Sequence, residues 1–256
     1  MKNEIRIFFT ALMFYTRIPC PSYADHDEEY LNKATRYFPL IGWIVGAGAV
    51  LSIYLLQFIL PLSVCVILSL ATTVLITGSF HEDGFADVCD GFGGGWTQSK
   101  ILEIMKDSRV GTYGVVGLLI LFILKIAATF ELLQLDIAFA FKTILLAHVL
   151  SRFTAESVIF THEYAREDAT SKVKPLAKNL SLKNLLIGGM ITVPAFLLFQ
   201  NPLVFVVFIP VYAMKMYLAS YYTKWINGYT GDCLGATQQV TEGIVYLTML
   251  ALWKFM

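Results

Sequence analysis

Charge is scarce in this chain. Asp, Glu, Lys and Arg make up 15% of its 256 residues, against about 25% in an ordinary soluble domain. The charges also cancel, with 19 of each sign and a formal net charge of zero. No overall basic field points to nucleic acid as a partner. Cysteine is sparse too. Cys20, Cys65, Cys89 and Cys233 lie far apart and form no CxxC pair, so neither a zinc centre nor a disulfide framework is indicated. The charged start, Met1 to Arg6, is followed by an apolar stretch that ends in Thr16-Arg17-Ile18-Pro19. That is not a small-residue cleavage site, and no cleavable signal peptide is expected. Internal repeats and low-complexity linkers are missing as well.

What the chain does have is apolar length. Hydrophobic residues make up 57% of it, concentrated in runs near the ~20 residues that a bilayer demands. Residues 4–16 are apolar but too short to span, which suits an interfacial helix. Seven spans are expected, at 38–60, 62–80, 110–133, 136–160, 184–200, 202–222 and 240–256. Pro194 and Pro210 should kink the fifth and sixth. The fold class is therefore all-α: one polytopic membrane-embedded catalytic domain over 1–256, with short interfacial helices. Its N-terminal segment is 1–37, and the loop 81–109 carries the site. Lys and Arg gather before the first span and in the 81–109, 161–183 (Arg166, Lys172, Lys174, Lys178, Lys183) and 223–239 segments. With seven spans these share one side, which the positive-inside rule makes cytoplasmic, N-terminus included.

The chemistry is densest from His81 to Gly95. Asp83, Asp87 and Asp90 stand at i, i+4 and i+7, within an arc of roughly 60° on one helix face. Like charges on one stripe repel unless a cation sits among them. Carboxylate oxygens suit Mg²⁺, with Mn²⁺ as an alternative, and this geometry admits two ions about 3.5–4 Å apart. A solvated acidic helix is the plainer reading, but no basic partner stands at i±4. Gly93, Gly94 and Gly95 can bring backbone N–H groups to a phosphate, although they form neither a P-loop nor a dinucleotide fingerprint. His81 can serve as general base or hydrogen-bond donor, and equally as an interfacial residue. Cys89, beside Asp90, is read as packing.

The same loop closes on Lys106-Asp107-Ser108-Arg109. Lys106 and Arg109 can hold diphosphate oxygens, Arg109 in a bidentate way, and Asp107 can add a metal ligand. Between them and the aspartates, residues 98–106 form a short amphipathic stretch that lies on the membrane or caps the site. Asp232, in Thr230-Gly231-Asp232-Cys233-Leu234-Gly235, is a further carboxylate ligand. Inside the spans, Arg152 either pairs with Glu156 at i+4 or meets a phosphate. Lys125 and Glu242 are costly there and point to function or a buried partner. Together these features describe metal-assisted phosphoryl transfer at a membrane surface.

These residues resemble the cobalamin synthase family, the adenosylcobinamide-GDP ribazoletransferases. The resemblance is carried by Phe14-Tyr15-Thr16-Arg17-Ile18-Pro19, by His81 through Asp83-Gly84, Asp87 and Asp90 to Gly95, by Met105 to Gly111, and by Gly228 to Ala236. Glu82 departs from it, since the family often has an apolar residue there. The resemblance implies Mg²⁺-dependent transfer of adenosylcobinamide-phosphate from adenosylcobinamide-GDP to α-ribazole or its 5′-phosphate, with GMP leaving. It implies a bacterial cytoplasmic-membrane enzyme of adenosylcobalamin biosynthesis. The expected metal ligands are Asp83, Asp87 and Asp107 or Asp232, with Asp90 as general base or bridging ligand. Lys106, Arg109 and Arg152 would neutralise the diphosphate. Expected partners are the two small-molecule substrates and the lipid bilayer, with a second copy of the chain or other cobalamin-assembly enzymes beyond them. Two competitors fit less well. A CDP-alcohol phosphatidyltransferase needs Asp-Gly-x-x-Ala-Arg, but Ala86 is followed by Asp87. A secondary transporter using Lys125, Arg152 and Glu242 would place its site near the midplane.

Overall fold

The computed structural model describes residues 2–24, 28–165 and 180–256. Arg166, Lys172, Lys174 and Lys178 lie outside them. Among the described residues the elements are helical: α1 Lys2–Tyr15, α2 Glu28–Ala34, α3 Phe38–Leu56, α4 Leu62–Thr77, α5 Phe80–Gly94, α6 Gln98–Ile104, α7 Thr112–Leu135, α8 Ile137–Thr161, α9 Leu182–Leu197, α10 Phe208–Ile226 and α11 Gly231–Leu252. Tyr164 and Tyr229 form an isolated β-bridge.

Local chemistry sets several boundaries. The side chains of Thr97, Asp136, Ser181 and Thr230 accept a backbone N–H at the starts of α6, α8, α9 and α11, satisfying donors that a helix start leaves open. Pro210 lies in the first turn of α10, after a 3₁₀ segment at Pro202–Val207. It thus sits where a helix tolerates proline and does not interrupt the span. Pro194 lies within α9.

Four helical stretches, Glu29–Leu56, Thr112–Leu135, Ile137–Thr161 and Pro202–Ile226, are long and apolar enough to cross a membrane. The α4–α5 pair makes a fifth if it is counted as one span. This is fewer than the seven expected. Helix α9 has 16 residues, and α11, though 22 residues long, buries Gln238, Gln239 and Glu242. The second expected span ends early, because Gly78 (φ 66°) and Ser79 (φ 60°) turn the chain and α5 leaves α4 at 92°. Glycine takes that left-handed conformation without cost.

Helix α8 is the core element, burying Ile144, Ala147, Leu150 and Ala155 against α3 and α11. Ile7, Ala11 and Tyr15 of α1 pack on Phe38, Ile41 and Val45 of α3, so α1 is docked on the bundle. Helix α5, the carrier of the aspartates, packs between α11 and α7.

Candidate active site at the end of the bundle

Gly84 decides how α5 meets α11. A Cβ there would lie 2.9 Å from the Asp232 Cα and 3.1 Å from its carbonyl oxygen, so only glycine permits this approach. The first turn of α11 therefore lies directly against the first turn of α5. Asp232 arrives beside the helix that carries Asp83 and Asp87. Asp83 is exposed, and Asp87 and Asp232 are half-buried. The Thr230 hydroxyl donates to Asp232 Oδ2 at 3.3 Å.

Asp90 has a different task from the one its spacing suggests. Its Oδ2 accepts the Gly111 N–H at 2.6 Å and its Oδ1 accepts the Gly114 N–H at 2.9 Å. Asp90 thus caps α7 from another helix, beside the partial positive charge of that helix start. Both oxygens are engaged, and the residue is buried. A role as general base or bridging ligand would have to use the lone pairs that these two bonds leave open. In return, Asp90 ties the 106–111 loop to α5.

Within that loop, Asp107 and Arg109 pair with each other. Arg109 Nη2 donates to Asp107 Oδ2 at 2.6 Å, and Nε reaches both oxygens at 3.1 Å. The guanidinium holds the Asp107 carboxyl down at about 2. Asp107 is thereby paired with a cation of its own loop. The Arg109 side chain is 87% exposed, so its guanidinium stays within reach of an incoming anion. Lys106 is exposed beside it.

The glycine run does not form a phosphate cradle. Helix α5 continues through Gly94, and the Gly95 N–H bonds the Gly91 carbonyl at 2.9 Å. These N–H groups lie at a helix C-terminus, where the exposed carbonyls repel an anion. The lack of side chains at Gly93 and Gly95 instead admits the Tyr113 ring and Ile101. The amphipathic 98–106 stretch is α6, and its Ile101 and Met105 are buried against Gly91 and Gly95 of α5.

His81 and Arg152 belong to the interior. His81 is buried and stacks on Phe38 with centroids 5.4 Å apart. Its two ring nitrogens meet no hydrogen-bond partner among the described residues. Arg152 donates to the His148 carbonyl at 2.9 Å and sits 5.7 Å from the Phe38 ring centroid. It pairs neither with Glu156, whose carboxylate lacks a partner among the described residues, nor with the acidic stripe.

A buried polar network lies behind α5. Lys125 Nζ meets Glu242 Oε1 at 2.8 Å and Gln239 Oε1 at 2.5 Å. Gln238 donates to Glu242 Oε2 at 2.7 Å and to Ser151 Oγ at 3.0 Å. Gln239 donates to Glu82 Oε1 at 2.9 Å. Glu82 therefore turns inward, away from Asp83, and adds nothing to the stripe. Polar residues recurring at 238, 239 and 242 within an apolar helix were the signal for this cluster. The neighbouring cavity measures about 20 Å³, room for about one water.

Among the described residues, no group of three or more His, Cys, Asp or Glu side chains converges as a metal cage. Asp83 and Asp87 lie on the helix whose Gly84 packs on the Asp232 backbone. Their carboxylate oxygens are donors of the type that Mg²⁺ takes together with waters and substrate phosphates.

Fold and site together define a helical protein with several apolar candidate spans and a rim that carries Asp83, Asp87, Asp232, Lys106 and Arg109. The sequence model of the cobalamin-5-phosphate synthase family matches residues 7–250. An adenosylcobinamide-GDP ribazoletransferase of Shewanella amazonensis is 45% identical over 257 residues, covering 99% of this chain and 98% of the relative. The protein of that name in Leptospira interrogans is 42% identical, with the same coverage, and that of Shewanella oneidensis is 42% identical over 97% of this chain and 95% of its own. No solved structure matches. The chain belongs to the cobalamin-5-phosphate synthase family.

Proposed function

We propose that this protein is an adenosylcobinamide-GDP ribazoletransferase of the bacterial cytoplasmic membrane, with its acidic rim on the cytoplasmic side. It joins adenosylcobinamide-phosphate to α-ribazole or α-ribazole 5′-phosphate. A ribose hydroxyl that is free in both acceptors, and so not the 5′-hydroxyl, bonds through its oxygen to the cobinamide-bearing phosphorus as its proton leaves, the bond from that phosphorus to the bridging oxygen breaks, and GMP departs. The observation that carries this reading is the full-length likeness to relatives of that name, combined with an acidic stripe that Gly84 sets against Asp232.

Asp83, Asp87 and Asp232 are the residues that would hold Mg²⁺. A divalent cation there screens the diphosphate and stabilises the charge that develops on the departing phosphate. Lys106 and Arg109 draw the diphosphate to the stripe, and Arg109 exchanges Asp107 for phosphate oxygens of like geometry. The acceptor hydroxyl gives its proton to a stripe carboxylate. Asp90 acts as a positioning residue, since its two hydrogen bonds fix where the 106–111 loop stands.

The test is GMP release by purified protein supplied with adenosylcobinamide-GDP, α-ribazole and Mg²⁺. The parent protein should release GMP only with the metal. Asp83→Asn and Asp87→Asn should each lose roughly 10²–10³ in kcat, the scale of removing an electrostatic stabiliser. Rates near the parent in both variants would remove the assignment.

A further inference from the structure

A second recess opens beside the rim. It is a polar cleft of about 980 Å³ between the outer face of α6 and the turns that end α8 and α10, within the range of small-molecule sites. Its polar lining comes from Gln98, Ser99, Glu103, Lys106, Glu163 and Asn227. Part of the wall is held firmly. The Gln98 amide nitrogen donates to the Ile226 carbonyl at 3.1 Å, and the Asn227 amide nitrogen donates to Gln98 Oε1 at 3.0 Å. The Glu163 carbonyl accepts the Tyr229 N–H at 3.0 Å, and the Ala165 N–H bonds the Tyr229 carbonyl at 2.8 Å. Glu163, Asn227 and α6 are thereby fixed around one opening.

Resting on the proposed transferase reading, we infer that this cleft holds the guanine of the nucleotide donor, with Glu163 reading its N1–H and 2-amino edge. Two carboxylates line the cleft. Glu103 is paired with Lys100 at 2.9 Å, which leaves Glu163, exposed at the mouth, for the base. A carboxylate presents two acceptors to the two parallel N–H donors of guanine. Adenine offers an acceptor at N1 and meets repulsion there. Asn227 has a second amide N–H, which suits the guanine O6.

Placement along α5 supports the same assignment. Gly84 faces Asp232, Gly91 faces Met105, and Gly95 faces Ile101. The eleven helical steps from residue 84 to residue 95 rise about 16 Å. Asp232 thus marks one end of this run, the cleft opens past the other, and Lys106, next to Met105, stands between. An extended nucleoside diphosphate with its base in the cleft and its phosphates at Lys106 reaches the carboxylate stripe. Lys106 belongs to both places, as a wall of the cleft and a residue of the phosphate-directed loop.

The full-length protein in detergent, without added metal, is tested by equilibrium dialysis with labelled GMP and AMP. The parent should prefer GMP by roughly tenfold or more. Glu163→Gln should weaken GMP by roughly 10–100-fold and abolish the preference. It should also raise the KM for adenosylcobinamide-GDP far more than it lowers kcat. Ser99→Trp, at an exposed position on α6, should fill the cleft and weaken GMP independently. Parent-like GMP affinity and base preference in both variants would overturn the inference. Asp83→Asn, in contrast, should lose turnover yet keep the preference for GMP. A protein that prefers GMP but transfers nothing sinks the transferase reading alone, and an active enzyme without base preference sinks the cleft alone.

Discussion

Asp90 has two partners that helical spacing does not reveal. Helical spacing places it on the stripe with Asp83 and Asp87, but α7 begins at that edge and claims both carboxylate oxygens. Hydrogen bonds to a charged group are worth about 1.5–3 kcal/mol each. Asp90→Ala, which removes two such bonds, should therefore lower the unfolding free energy by about 3–6 kcal/mol and speed amide exchange at Gly111 and Gly114, as read by hydrogen–deuterium exchange. Asp107 makes a second case. Arg109 holds its carboxyl at about 2, below the ordinary value. Any stability from the pair is complete above the unfolded-state value near 4 and disappears as the pH falls through about 2. Asp107 thus contributes no titration near neutrality. Asp107→Asn should keep kcat within a few-fold of the parent and leave the acid limb of the pH–rate profile unmoved. A collapse of kcat would restore Asp107 as a metal ligand.

Among the elements, α5 was the most legible and α11 the least. The expected starts and ends of the apolar runs lie within a few residues of α3, α4, α7 and α8, because runs of that length are written locally. The 92° bend after α4 falls at Gly78-Ser79, where the expected span runs on to Phe80 although a glycine-serine pair already marks a turn. Helix α11 begins nine residues before the expected span, since its first turns are polar and glycine-rich yet buried by α5. The partner of a face cannot be read from periodicity. For the same reason, Glu82 counted as one more acid beside the stripe, when it faces Gln239. The contact between α5 and α11 is testable through Gly84. In Gly84→Ala the added methyl must displace the Asp232 backbone, at about 1–3 kcal/mol for an overpacked position. A lower melting temperature should accompany a loss of transfer activity. A variant with parent-like stability and rate would show that the approach does not position Asp232.

At the scale of the whole molecule, the chain separates two populations of charge. One is buried inside the bundle, where Lys125 pairs with Glu242. The other gathers at the rim with Asp83, Asp87, Asp232, Lys106 and Arg109. Removing one partner from the interior pair leaves an uncompensated buried charge, typically worth 3–5 kcal/mol. Lys125→Met and Glu242→Gln should each lower the unfolding temperature in detergent, and the double variant should lose less than the sum of the two. Sequence reasoning singled out both residues as costly within the membrane, yet it could not say that they meet, because they lie on helices far apart in the chain. In the proposed reading the rim carries the function, and a divalent cation would be held there by carboxylates from two helices. The most direct measurement is Mn²⁺ binding by electron paramagnetic resonance, with adenosylcobinamide-GDP present, in the parent and in Asp83→Asn, Asp87→Asn and Asp232→Asn. The account predicts a bound-ion signal in the parent that falls by tenfold or more in affinity in each variant. Equal Mn²⁺ affinity across all four proteins would contradict it.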